Sequence, residues 1–272
     1  MGALNTIMTG LQAERSLTRR QFQPSVVKKL NLGRKAATVG ALIKTLQPNL
    51  LPAFLLGECA DGLPFLVQLD DPGMGSILIS CDHGLGKTHQ LQVMADSAIR
   101  LNPPNQLQLG VITFKPGEWQ TWQRAPQVKK HLQGIYAWYD PGVEGFIENL
   151  VDLAEARQDG KRTGANILLL LDDLNFIEEL SFEAQVHLYW LLEYGAQAGI
   201  WMAGTLNAHK VNQYRYWVDP FRTRIIGKVS ADQHADILAT RPDSAAYGLD
   251  AAMFRVWTGF GWRTYRLPLL GD

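Results

Sequence analysis

Ser76-Ile77-Leu78-Ile79-Ser80-Cys81-Asp82-His83-Gly84-Leu85-Gly86-Lys87-Thr88 is the stretch whose reading decides the fold. Ser76–Ser80 is a compact run of strand-forming residues. Beyond Thr88, the residues Leu91, Met94, Ala95, Ala98 and Ile99 recur at helical spacing up to Pro103. A strand, a tight loop and a helix N-terminus in that order aim several backbone N–H groups and the helix dipole at one point, which favours a polyphosphate. Gly84 and Gly86 let the backbone approach without a Cβ in the way. Cys81, Asp82, His83, Gly84, Leu85, Gly86, Lys87 and Thr88 therefore form a candidate cradle for a nucleoside triphosphate, ATP with Mg²⁺. In it Lys87 neutralises β- and γ-phosphate charge and the Thr88 hydroxyl ligates the cation. Cys81 stands where the usual G-x-x-x-x-G-K-[ST] pattern has its first glycine. His83 either touches a phosphate or faces solvent.

A second motif lies downstream. Ile167-Leu168-Leu169-Leu170-Leu171 is an unbroken apolar strand of the kind buried on both faces of a parallel sheet, and Asp172-Asp173 follows it directly. A carboxylate at the end of such a strand comes to lie beside the phosphate loop, so Asp172 is a candidate to hold a water on Mg²⁺. Asp173 has two readings: general base for the attacking water, or N-terminal cap of the next helix.

The rest of the chain supplies the elements of an α/β sheet. Leu107–Phe114, Ile200–Ala203 and Ile225–Val229 read as strands, and helical patterns run through Phe146–Ala154, Phe182–Tyr194 and Ala231–Ala239. That alternation predicts a mainly parallel central sheet. Two hairpins flank it: Asn49–Cys59 with Pro64–Leu69, turning at Ala60-Asp61-Gly62, and Met253–Trp257 with Trp262–Leu267. Residues 11–46 suggest short helices broken near Pro24 and Gly33. No repeat or low-complexity tract interrupts the chain.

The formal net charge is zero, yet residues 1–48 carry eight basic side chains against Glu14 alone, leaving an acidic body in residues 49–272. A basic, helical arm of this kind fits nucleic acid, an acidic membrane surface or an acidic partner protein, and equally a solvated helical face. Only Cys59 and Cys81 occur, which suits a reducing cytoplasm rather than a disulfide scaffold. No apolar run is long enough to span a bilayer, no secretory leader is apparent, and no histidine or cysteine spacing suggests zinc. Trp119, Trp122, Trp138 and Tyr139 either stack a base or pack over the sheet edge.

With both motifs in place the chain resembles the FtsK/HerA group of DNA translocases, nearest the FtsK/SpoIIIE motor domain, over roughly residues 50 to 270. Leu56-Gly57 with Gly62–Val67 looks like the family hairpin before the phosphate loop, and Phe114–Trp119 sits where the family has an Asp-Pro-Lys segment. Asp172-Asp173-Leu174 is similar to its Asp-Glu-Leu. Ala198-Gly199-Ile200 through Gly204-Thr205 resembles its Ala-Gly-Ile strand and sensor. Thr223–Ser230 is similar to its Thr-Arg-Ile-x-x-x-Val-Ser strand. The resemblance implies a RecA-like P-loop NTPase fold, hydrolysis of ATP by in-line water attack, and an oligomeric, hexameric ring acting on double-stranded DNA. Related secretion motors act on protein. Asn207–Tyr216, with His209, Lys210, Tyr214 and Arg215, falls where the family's motors carry pore-facing loops, and the resemblance makes it a candidate DNA-contact segment.

Two departures matter. Gly195 is followed by Ala196 and Gln197, without the family arginine, and Thr205 and Asn207 are the nearest candidates for its sensor glutamine. Arg222 and Arg224 are candidates for a trans-acting finger, or for pairing with surface carboxylates. A nucleotide-binding interaction module with weak or no hydrolysis, its arm docking a partner protein, is the competing reading. A small-molecule kinase is a third, although no arginine-rich lid is apparent.

Overall fold

The structure, a computed structural model, describes residues 36–46, 52–239, 249–258 and 261–272, with Thr121 described in its backbone only. All of these fall in one compact unit, Leu32–Asp272. Most of the basic arm, residues 1–35 and 47–48, lies outside the described residues.

Ten strands form one sheet: β1 (Ala53–Cys59), β2 (Pro64–Gln68), β3 (Ile77–Cys81), β4 (Leu107–Thr113), β5 (Leu132–Ala137), β6 (Asn166–Asp172), β7 (Ile200–Asn207), β8 (Thr223–Ile226), β9 (Met253–Trp257) and β10 (Trp262–Arg266). Their order is β2-β1-β10-β9-β8-β3-β7-β6-β4-β5. From β8 to β5 every pairing is parallel. From β8 outward to β2 every pairing is antiparallel. The two expected hairpins thus lie side by side and extend the parallel sheet from one edge. β7 separates the phosphate-loop strand β3 from β6, the strand that ends in Asp172.

The helices are α1 (Val39–Ile43), α2 (Lys87–Leu101), α3 (Pro116–Gln123), α4 (Pro126–Lys129), α5 (Gly142–Gln158), α6 (Phe182–Tyr194), α7 (Arg215–Val218) and α8 (Asp232–Ala239). Side chains of a strand alternate between faces, and β6 shows what each face meets. Leu168 and Leu170 join a core with Leu91, Met94 and Ala98 of α2 and Trp119 of α3. Ile167, Leu169 and Leu171 join the opposite core with Val143, Phe146 and Leu150 of α5 and Leu188 and Leu191 of α6. Burial on both faces is why that segment is apolar at every position.

α2 carries a polar stripe that the apolar spacing hides. Gln90, Ser97 and Asn102 are buried, and each serves the backbone of β1. Asn102 Oδ1 accepts from Ala53 N–H at 3.0 Å and its amide donates to Ala53 O at 2.7 Å. Ser97 Oγ accepts from Leu55 N–H at 2.8 Å, and Gln90 Nε2 donates to Leu56 O at 3.0 Å. β1 meets β10 only at Glu58 and Cys59, so these side chains take the place of a neighbouring strand over its first half. Two further findings differ from what the sequence predicts. β5 was not expected, and β8 ends at Ile226, with Lys228 O beyond it accepting from Asp82 N–H at 3.0 Å. In the described part of the arm, Val39 and Leu42 are buried with Leu55 and Val93.

Candidate functional site

The site forms at the C-terminal ends of β3, β7, β6 and β4, the edge where open α/β sheets bind ligands. Register decides who meets there. Cys81 pairs with Asn207, Thr113 with Asp172, and Leu171 with Gly204, which sets Thr205 beside Asp172.

The loop from Cys81 to Thr88 closes tightly because Gly84 and Gly86 both adopt positive φ, 75° and 100°. Cys81 is fully buried, and burial first of all pushes its thiol up to about 11. Asp82 Oδ2 accepts from Ser230 N–H at 2.8 Å, tying the loop to the segment after β8. His83 is exposed and Leu85 half-buried. Lys87 Nζ folds over the loop and donates to Cys81 O at 3.1 Å and Asp82 O at 2.9 Å.

The two sequence motifs meet through one hydrogen bond. Thr88 Oγ1 donates to Asp172 Oδ1 at 2.9 Å. Asp172 is 5% exposed. Burial raises its carboxyl above the ordinary aspartate range, and bonds from Thr88, Trp119 and Thr113 work against that rise. Thr113 Oγ1 donates to Oδ2 at 3.1 Å, the Trp119 indole N–H reaches Oδ2 at 3.4 Å, and Thr205 Oγ1 lies 3.5 Å from Oδ1.

Asp173 has φ 77°, outside the region non-glycine residues prefer. Its N–H donates to Thr205 Oγ1 at 2.7 Å, and its Oδ1 accepts from Asn175 N–H at 3.2 Å, the capping arrangement of a short 3₁₀ turn. Asn207 Oδ1 is buried and has no hydrogen-bond partner among the described residues. Arg224 is 8% exposed. Its guanidinium donates to Ile237 O, Leu238 O and Val218 O at 3.0 to 3.2 Å, and so bridges α7 and α8 within its own chain. Arg222 is exposed and forms no ion pair with a described residue.

Among the aromatic candidates, Trp119 is fully buried and meets Trp122 edge-on at 5.7 Å. Trp138 stacks on Phe114 at 5.1 Å, and Tyr139 is exposed. In the 207–216 segment, Val211 and Tyr214 are buried, Lys210 Nζ donates to Asn175 Oδ1 at 2.9 Å, and His209, Arg215 and Tyr216 are exposed. Sequence reasoning passed over Thr113. It ends an apolar strand just as Asp172 does, and that shared position was the signal. The bond from Trp119 to Asp172 left no local trace in the sequence.

At the level of sequence, neither a protein-family model nor a curated protein matches the chain. Solved structures do. ATPases 2 and 3 of EccC from Thermomonospora curvata, in complex with a signal sequence peptide, superpose with a TM-score of 0.66 at 14% identity, over 93% of this chain and 44% of that one. ATPases 2 and 3 of EssC from Geobacillus thermodenitrificans give 0.66 at 16% identity, over 90% and 48%. The pCW3 conjugation coupling protein TcpA, in its monomer form with ATPγS, gives 0.57 at 14% identity, over 81% and 67%. The chain spans less than half the length of the EccC and EssC structures named. At these identities the likeness is one of fold: the chain has the P-loop, RecA-like fold of FtsK/HerA-type ATPase motor domains. No described helix is long and apolar enough to cross a membrane.

Proposed function

We propose that the chain binds ATP with Mg²⁺ at Cys81–Thr88 and hydrolyses it to ADP and phosphate, as the motor domain of an oligomeric, cytoplasmic translocase of double-stranded DNA. The observation that carries the reading is the 2.9 Å bond from Thr88 to Asp172, which joins the phosphate loop to the acidic strand end. The donor set fits the cation: a hydroxyl and a carboxylate are hard oxygen ligands of the sort Mg²⁺ takes alongside phosphate oxygens and waters. When bound, Mg²⁺ neutralises charge on the phosphate oxygens.

Each residue then has a task. Backbone N–H groups of the loop and the α2 N-terminus receive the phosphates. Lys87 exchanges its two carbonyl partners for phosphate oxygens, which are the stronger acceptors for an ammonium group. Asp173 takes the proton of the attacking water, once its carboxylate leaves Asn175 N–H. Thr205 and Asn207, whose amide oxygen has no partner among the described residues, orient that water or the γ-phosphate. Arg222 of a neighbouring copy supplies transition-state charge, as Arg224 holds its own carbonyls. The basic arm and the 207–216 segment contact DNA, and the assembly is a hexameric ring, as the resemblance to FtsK/HerA translocases implies.

A second reading rests on the capping bond of Asp173: with its carboxylate held by Asn175 N–H, the chain would be a nucleotide-binding module with weak turnover that docks a partner protein. ATP hydrolysis measured with and without duplex DNA, next to Lys87→Ala and a sizing experiment, separates the two. Turnover that rises with DNA and vanishes in Lys87→Ala supports the motor. Tight ATP binding by a monomer without turnover supports the module. Stimulation by peptide in place of DNA moves the substrate to protein, the class of ligand seen on EccC.

A further inference from the structure

Asp172 divides its two oxygens between different tasks. Oδ1 faces Thr88 at 2.9 Å, the side where the phosphates arrive, and Oδ2 faces Thr113 and Trp119. The donors on Oδ2 are fixed in direction. Lys115 N–H donates to Thr113 Oγ1 at 3.0 Å, which leaves the threonine hydroxyl hydrogen for the carboxylate. The indole of Trp119 can only donate, and the ring is fully buried in α3. Nor is this bond simply the cost of burying an indole. Trp122, Trp201 and Trp262 each have a buried ring N–H without a partner among the described residues, yet the N–H of Trp119 meets a carboxylate. α3 is in turn tied to the phosphate-loop helix, because Gln92 Nε2 donates to Glu118 O at 3.0 Å.

We infer that Trp119 is a positioning residue for the cation site: with Thr113 it pins Oδ2 of Asp172 and so presents Oδ1 toward Thr88 for Mg²⁺. The inference rests on the nucleotide reading above and goes beyond it, assigning to α3 a part in cation affinity. Groups that hold a metal-binding carboxylate from behind set its direction, and their loss weakens the metal without touching it.

The test measures affinity for a fluorescent, non-hydrolysable ATP analogue on the full chain, in Mg²⁺ and again in EDTA. Trp119→Phe keeps most of the ring and removes the N–H. Thr113→Val removes the other donor at nearly constant volume. Each is expected to raise the Mg²⁺ concentration needed for tight analogue binding roughly ten-fold, with affinity in EDTA unchanged. Tryptophan emission should also change on adding Mg²⁺ to the wild type, and that change should shrink in Trp119→Phe. An unaltered Mg²⁺ requirement in both variants overturns the inference. So does an equal loss with and without Mg²⁺, which marks a packing role alone. If Trp119→Phe fails to fold, Thr113→Val decides. A wild type that does not bind the analogue removes the nucleotide reading itself, and this inference with it; binding that Mg²⁺ does not tighten overturns the inference alone.

Discussion

Asp172 shows what a buried carboxylate costs a fold. Burial raises its pKa above the unfolded value, so the folded chain holds its proton to higher pH than the unfolded chain does. Stability is then lost as pH rises from the ordinary aspartate range through the raised value. Asn at this position keeps an oxygen on Trp119 and Thr113 and turns its amide toward Thr88 and Thr205, whose hydroxyls can accept. We therefore expect Asp172→Asn to melt above the wild type at about pH 7 and the gap to close near about pH 4, while Mg²⁺-dependent ATP turnover disappears. A melting temperature below wild type at neutral pH would show that the burial penalty is already offset by the surrounding donors. Asp173 stands one residue on with the opposite character: half-exposed, strained in its backbone and engaged as a cap. The cap is the role seen in the structure, and the base remains our proposal, which would use the same carboxylate at another moment.

α2 serves two masters, and only one was legible. Its apolar positions and its place after the phosphate loop follow from spacing, because both depend on neighbours within a few residues. Gln90, Ser97 and Asn102 look like ordinary polar positions of an amphipathic helix. Their partners in β1 lie too far away in sequence for any local pattern to mark them. β5 escaped for another reason: Gln133 and Gly134 interrupt a short run at the sheet edge, where one-sided packing leaves a weak signature. The two hairpins, β6 and the phosphate loop were readable because turn chemistry and continuous burial write themselves into adjacent residues. The buried amide of Asn102 gives this a measurable form. Asn102→Ala leaves Ala53 N–H and Ala53 O without their side-chain partner, while Ala98 O keeps the backbone N–H of residue 102, and should cost about 2–4 kcal/mol by chemical denaturation. A loss below about 0.5 kcal/mol would mean that water or a backbone shift replaces it.

The charge division of the whole chain also has a measurable consequence. Val39 and Leu42 pack on the body, so a clean removal of the arm stops at residue 35. If the arm grips DNA, deleting residues 1–35 should flatten the salt dependence of binding by about 0.9 for each phosphate that it had neutralised. An unchanged slope would assign DNA binding to the body alone. The sheet itself closes on the arrangement of its hairpins. β10 lies between β1 and β9, so residues near the start of the described domain reach their place beside residues near its end. During synthesis, the strands from β3 to β8 can assemble around α2 as they emerge, whereas the first hairpin must wait for the last one. The opening half of β1 gains no strand on that side even then, and Gln90, Ser97 and Asn102 keep its backbone from open pairing in the finished fold. The helix that follows the phosphate loop thus closes part of a strand edge for good, and only Glu58 and Cys59 of β1 wait for β10.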